Sequence, residues 1–342
     1  MLVPCIIVFS SRNLFILYLF YEFSLLPILY IILKWGSYPE RSVRAFILLI
    51  YTSFFTMPLL GCILSLNANV SSLSSLLVLP CSVSSLFTLV IFLAFAVKLP
   101  IYGLHFWLPI AHVEAPTFGS IILAGVLLKL GGVGLLRFLP FLDTLFLRSH
   151  FFSYFIFFFF ISSLVCCFQS DFKRLVAYSS VSHMMSIPLL LVSNLSLSVK
   201  SILLIIIFHG LSSPVMFILV GLVYSFFGTR QLVITRGLLL LSPLLAFLIV
   251  LSFFYTLSAP PYPSFIAEVF FFISVFSVSS LVLIPYLFFI FFSLVYNLNW
   301  LVSILFSTVS SPSIKVFFYS SFLPLFVTHV FSFLLLLLVP LF

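Results

Sequence analysis

Charge is what this sequence has least of. Among its 342 residues only 14 are Lys or Arg and 6 are Asp or Glu, whereas a soluble domain spends about a quarter of its residues on these four types. A globule this poor in charge could not cover its surface with polar groups, which excludes an ordinary soluble fold. The net charge of +8 does not indicate nucleic-acid binding, because the basic residues sit singly at the ends of apolar runs without interleaved aromatics. In that position they inform membrane topology. The five cysteines, Cys5, Cys62, Cys81, Cys166 and Cys167, form no spaced ligand set, so they are read as small packing residues and not as a metal site or disulfide framework. Glycine-rich nucleotide fingerprints, a P-loop and a histidine pair of haem geometry are also missing. The N-terminus has no basic region followed by a small-residue cleavage site, and reads as a short or partial membrane helix.

What the sequence does have is apolar length. Hydrophobic residues make up 64%, with 48 phenylalanines, and stretches near the roughly 20 residues of a spanning helix recur throughout. After a short segment at Leu2–Ser10, spans are expected at Leu14–Leu33, Ala45–Leu66, Thr117–Leu136, Phe151–Phe168, Leu175–Val192, Ser201–Phe227, Gly237–Leu257 and Phe318–Val339. Polar connections separate them at Lys34–Arg44, Asn67–Ser75, Gln169–Arg174, Thr229–Arg236 and Ser307–Lys315. Leu76–Leu108 is too long for one helix, and Pro100 and Gly103 beyond Lys98 predict a break there. Pro260, Pro261 and Pro263 before Glu268 predict a second break, with apolar sequence continuing to Phe306 as two helices divided near Pro285 or Tyr296–Trp300. The expected fold is all-α: one polytopic membrane bundle over 1–342, of ten or eleven helices, two of them discontinuous. A first half spans 14–192 and a second half 199–342.

The informative residues are the ionisable ones far from an aqueous edge, each costing about 2.5–3.5 kcal/mol or more at mid-helix. Glu22 lies well inside its helix, so it either holds helices together as a buried ion pair or handles ions. Lys98, beside a break that predicts a local cavity, could toggle between holding and releasing a proton. Lys129 could do the same or could snorkel to the interface. His183 and His209 are open to proton relay or to hydrogen-bonded packing. Glu268, just past the proline cluster, is a further ion-handling candidate. The polar patch Lys98–Glu114, KLPIYGLHFWLPIAHVE, also contains His105, His112 and Glu114 but lacks zinc-site spacing. Trp107, Pro109 and His112 in it are expected to form an interfacial turn.

Ala94–Arg137 reads AFAVKLPIYGLHFWLPIAHVEAPTFGSIILAGVLLKLGGVGLLR. With LFYEFSLLPILYIILKWGSYPER at Leu19–Arg41, SDFKRLVAYSSVSHM at Ser170–Met184, FHGLSSPVMF at Phe208–Phe217 and PPYPSFIAEVF at Pro260–Phe270, it resembles the chain 4 family of the proton-pumping NADH:ubiquinone oxidoreductase, respiratory complex I. The resemblance runs from about Leu14 to the C-terminus. It implies an antiporter-like subunit of the mitochondrial inner membrane, packed among lipids and other complex I membrane subunits, especially neighbouring antiporter-like ones, with no nucleic-acid partner. It makes Glu22 the partner of Lys98, Lys129 the next lysine of a polar axis, Glu268 the terminal glutamate, and His183 and His209 water-chain relays between them. It also implies that NADH, FMN, iron–sulfur clusters and ubiquinone are used by other parts of the complex, with no cofactor held in this chain. Two departures stand out. The family has fourteen helices, of which roughly three expected before this N-terminus are absent, and Ile110 stands where the family pattern often has lysine. Two other functions fit the same charges: a subunit of a multi-subunit monovalent cation/proton antiporter, and a structural membrane scaffold.

Overall fold

A computed structural model describes residues 1–36, 39–69, 84–193, 195–306 and 323–336. The loop residue Tyr38, Cys81, most of the Asn67–Ser75 connection, the start of the Leu76–Leu108 segment, the Ser307–Lys315 loop and both ends of the Phe318–Val339 span lie outside the described residues. The described part is helical throughout, without a β-strand. Seven stretches are long and apolar enough to cross a membrane, and four shorter apolar helices join them. Phe46, Phe54, Phe247 and Leu240 are among many large apolar side chains left exposed, while Lys98 and Glu114 are fully buried. A chain that hides lysine and shows phenylalanine is built for lipid. It is a multi-pass membrane helix bundle.

Two compact units make up the chain, Met1–Tyr154 and Phe155–Phe342. The first begins with α1 (Leu2–Ser10), α2 (Leu14–Phe23), α3 (Leu25–Trp35) and α4 (Arg41–Asn69). The expected span Leu14–Leu33 is present as Leu14–Trp35, divided at Ser24 into two helices. Pro27 has no N–H to donate to the Phe23 carbonyl, and Ser24 at the junction turns its hydroxyl back onto the Tyr21 carbonyl at 2.6 Å. Glu22 sits at that junction. Next come α5 (Ser85–Ala96) and α6 (Trp107–Glu114), the halves of the first discontinuous helix, joined by irregular backbone over 97–106. The predicted break beside Lys98 is thus present. α7 (Thr117–Ile122) and α8 (Leu128–Phe138) are halves of one span joined by a π turn at Leu123–Leu127.

α9 (Thr144–Cys167) starts earlier than expected because Asp143 caps it, accepting from Leu145 and Phe146 N–H at 3.1 Å. In the second unit, the span expected at Leu175–Val192 is present as Phe172–Ser193 and is likewise divided, into α10 (Phe172–Met184) and α11 (Ser186–Ser193). The cause matches that at Glu22: Pro188 removes a backbone donor, and Ser186 donates to the His183 carbonyl at 2.6 Å. α12 (Ser196–Phe227) ends at Gly228, whose φ of 73° gives the left-handed cap. After the Thr229–Arg236 loop follow α13 (Leu238–Leu241), α14 (Pro243–Thr256) and α15 (Ser264–Phe276). α14 and α15 are the halves of the second discontinuous helix, separated by the predicted proline-rich break. α16 (Leu283–Phe306) runs unbroken through Pro285, which falls in its first turn, and through buried Tyr296, Asn297 and Trp300. Of the two divisions expected, the one near Pro285 is present, just before it between Phe276 and Leu283, and the one at Tyr296–Trp300 is not. α17 (Leu323–Leu336) completes the described chain.

Candidate functional site

In the first unit the ionisable groups gather around the broken helix. Lys98 is fully buried just after α5 ends. Its Nζ donates to the Tyr21 carbonyl at 2.6 Å and lies 3.2 Å from the centre of the Tyr21 ring. The ammonium is thus held by a carbonyl dipole and a π face. Glu22 is the next residue on α2, yet it makes no ion pair with Lys98 among the described residues. Its Oε1 is buried and accepts no hydrogen bond. Glu22 acts on Lys98 as a neighbouring charge and not by direct contact, and the Lys98 ammonium rests on the Tyr21 carbonyl. Where α5 ends, the Trp107 indole donates to the Val97 carbonyl at 2.7 Å, so a broken backbone inside the bundle is satisfied by protein. Gly103, at φ 92°, turns the chain back toward α6.

Lys129 does not reach an interface; only 3% of it is exposed. Its Nζ donates to the Ala124 carbonyl, within the π turn that precedes it. Such turns misalign the i→i−4 ladder and present carbonyls to side chains. The glycines that follow are spacing devices. A Cβ on Gly131 would come within 2.8 Å of the Leu99 amide nitrogen, and one on Gly134 within 2.2 Å of the Phe95 ring. Only a bare backbone lets α8 lie against the break that carries Lys98. Beyond them, the Arg137 guanidinium donates to the Phe9 and Ser11 carbonyls and ties down the end of α1.

The segment expected as an interfacial turn is instead α6, a short helix with Trp107, Pro109, His112 and Glu114 all buried. Pro109 is tolerated because it stands in the first turn, where N–H groups have no helical partner. Sequence reading also overlooked the cation this helix meets. Arg44 Nη1 lies 2.6 Å from fully buried Glu114, and its Nη2 lies 2.7 Å from exposed Glu40. A wholly buried carboxylate needs such a partner, so the lone Glu114 in an apolar run was itself the missed signal.

In the second unit the other three candidates come together. His183, His209 and Glu268 line one cavity of about 50 Å³, with Ser212, Tyr255 and Ser258 among its polar walls. The His183 and His209 rings are 6.0 Å apart, and His183 Nδ1 is 3.8 Å from Glu268 Oε1. Ser258, in the break at φ 52°, donates to Glu268 Oε1 at 2.7 Å. His183 Nε2 has no hydrogen-bond partner among the described residues. His209 is placed by a backbone irregularity of its own: Pro214 leaves the Gly210 carbonyl without its helical donor, and Ser213 donates to the His209 carbonyl at 2.7 Å. A carboxylate, two imidazoles and several hydroxyls around a space of this size can order water and pass protons among themselves.

Comparison with known proteins places the chain in a family. The family described as NADH:quinone oxidoreductase/Mrp antiporter, TM, matches residues 11–295, and the chain belongs to it. Among curated relatives, NADH-ubiquinone oxidoreductase chain 4 of Ceratitis capitata is 40% identical over 303 residues, 87% of this chain and 68% of the relative. The same-named protein of Strongylocentrotus purpuratus is 38% identical over 274 residues, 77% of this chain. The chain spans 59% of that relative and 66% of the one from Locusta migratoria, about two thirds of the relatives' length. Among solved structures, a chain of respiratory complex I from Thermus thermophilus with bound NADH shares the fold with a TM-score of 0.85 at 24% identity, covering 97% of this chain and 72% of that one. A chain of the Mrp complex from Dietzia sp. DQ12-45-1b does so at 0.77 and 17%, covering 91% and 59%.

Proposed function

We propose that this chain is a proton-translocating membrane subunit of respiratory NADH:ubiquinone oxidoreductase, corresponding to its chain 4, in the mitochondrial inner membrane. The observation that carries the reading is the set of ionisable side chains buried at helix irregularities, in a chain that is 40% identical to a chain 4 relative. A scaffold has no use for Lys98 and Lys129 held on carbonyls inside lipid, at a cost of about 2.5 kcal/mol or more each. On this reading quinone reduction elsewhere in the complex alters the field along the membrane subunits. Glu22, one residue from the carbonyl that holds Lys98, then changes that lysine's hold on its proton. Lys129 has the same kind of carbonyl perch, and the Glu268–His183–His209 cavity accepts and releases protons through water. Coupling of this kind requires two states of differing proton affinity.

NADH, FMN, iron–sulfur clusters and ubiquinone belong on this reading to other subunits, with neighbouring antiporter-like subunits as the nearest partners. The cation/proton antiporter alternative rests on the shared family and on a likeness of fold to the Mrp complex chain, whereas the curated relatives at about 40% identity are chain 4 proteins. Purification of the native assembly in mild detergent tests the choice. Co-purification with NADH–quinone reductase subunits is the expected result. An intact assembly of monovalent-cation antiporter subunits lacking them would overturn it.

A further inference from the structure

One buried histidine stands outside the set described so far. His329, on α17, is 3% exposed, and neither ring nitrogen has a hydrogen-bond partner among the described residues. An imidazole without a partner is uncommon in an apolar interior, where buried polar groups are normally satisfied by protein or ordered water. Its surroundings are not purely apolar. The ring lies 6.1 Å from that of Tyr255 and 6.2 Å from that of Tyr262, and these two tyrosines stack on each other at 4.9 Å. Tyr255 ends α14 at the second helix break, and it lines the cavity that holds His183, His209 and Glu268. Its hydroxyl reaches the Phe208 carbonyl at only 3.4 Å, a long contact that leaves it able to bond water. Ser332, fully buried one turn along α17, donates to the His329 carbonyl and lies within hydrogen-bond reach of the Tyr255 hydroxyl.

We propose that His329 is a further proton relay, reached from the Glu268 cavity past the Tyr255 hydroxyl through water. This rests on the proton-translocating reading given above. The step is a transfer without redox change: one ring nitrogen takes a proton from a water on the cavity side as the other gives its proton to a water on the far side. Rotation or tautomer exchange then resets the ring. Tyr255 donates and accepts in turn and carries no net charge. The break between α14 and α15 thereby serves a second purpose, turning Tyr255 and Tyr262 so that the cavity gains a branch toward α17.

The experiment measures proton pumping by the assembled complex in sealed vesicles, with assembly checked on native gels. His329→Phe keeps an aromatic ring against both tyrosines. His329→Gln keeps hydrogen bonding but cannot take up a proton. Both are expected to assemble and to lose at least tenfold in pumping rate, a joint loss that neither packing nor hydrogen bonding alone would give. Native pumping by either variant overturns the relay. Should both fail to assemble, Tyr255→Phe decides, since it removes only the hydroxyl: a severalfold loss supports the branch and native pumping overturns it. Glu268→Gln in the same vesicles separates the two levels. If it too pumps normally, the proton-translocating reading falls, whereas normal pumping by the His329 variants beside a silent Glu268→Gln rejects the branch alone.

Discussion

At the first helix break Lys98 is sealed, with its ammonium on the Tyr21 carbonyl and ring. At the second, Glu268 looks onto a cavity shared with two histidines and several hydroxyls. The first site is closed by neighbours that fit without clearance, as the Gly131 and Gly134 approaches to Leu99 and Phe95 show. The second is held loosely, by one serine hydroxyl at 2.7 Å and a histidine at 3.8 Å. The difference teaches how similar breaks can serve different ends. A cation sealed on a carbonyl exchanges its proton only when the backbone around it moves, which suits a gate. A carboxylate facing a polar cavity exchanges with water where it stands, which suits conduction.

Substitutions can break this contrast. The largest effect is expected from Lys98→Met, which removes the sealed charge while keeping its volume. Pumping should fall about a hundredfold, within the range of lost proton-transfer groups, and Lys98→Arg should not rescue it, because a guanidinium keeps its proton. Normal pumping by Lys98→Met would show that the sealed site gates nothing. Gly131→Ala comes next, driving a methyl against the Leu99 backbone. The expected cost is about 1–3 kcal/mol, read as a lowered melting temperature of the complex, and an unchanged one would mean that the break is not tightly packed. The smallest effect is expected from Ser258→Ala. It removes one hydrogen bond worth about 0.5–1.5 kcal/mol and should alter pumping only a few-fold, because water in the cavity can replace the hydroxyl. A loss as deep as that of Lys98→Met would mean that the second site is as rigid as the first.

Much of this was legible in the sequence, and what was missed has common causes. Lys98 with Pro100, and Glu268 behind Pro260, Pro261 and Pro263, announced both breaks because proline removes a donor wherever it falls in a helix. Pro27, Pro188 and Pro214 carried the same signal at Glu22, His183 and His209. They were passed over because the surrounding hydropathy is continuous and each proline sits within an otherwise plausible span. The cavity was not legible. It joins His183, His209 and Glu268 from three helices far apart in sequence, and no spacing rule links them. Nor was the Tyr21 carbonyl, since a backbone group that satisfies a lysine leaves no mark in residue types. Arg44 was assigned to a loop because the α4 start at Arg41 has too few apolar residues to register, so its reach to Glu114 went unseen. His329 lies in the final span without a neighbouring charge, so nothing in the sequence singled it out.

Whether these buried groups carry protons or merely hold helices is tested most directly at Glu268. The measurement is protons pumped per NADH oxidised by the purified complex in sealed vesicles, native beside Glu268→Gln, with equal assembly shown on native gels. The glutamine keeps the size of the side chain and an acceptor for Ser258, so packing survives while titration is lost. The expected result is an assembled variant whose pumping falls by about two orders of magnitude. An assembled variant that pumps as the native complex does would contradict proton transfer through this site.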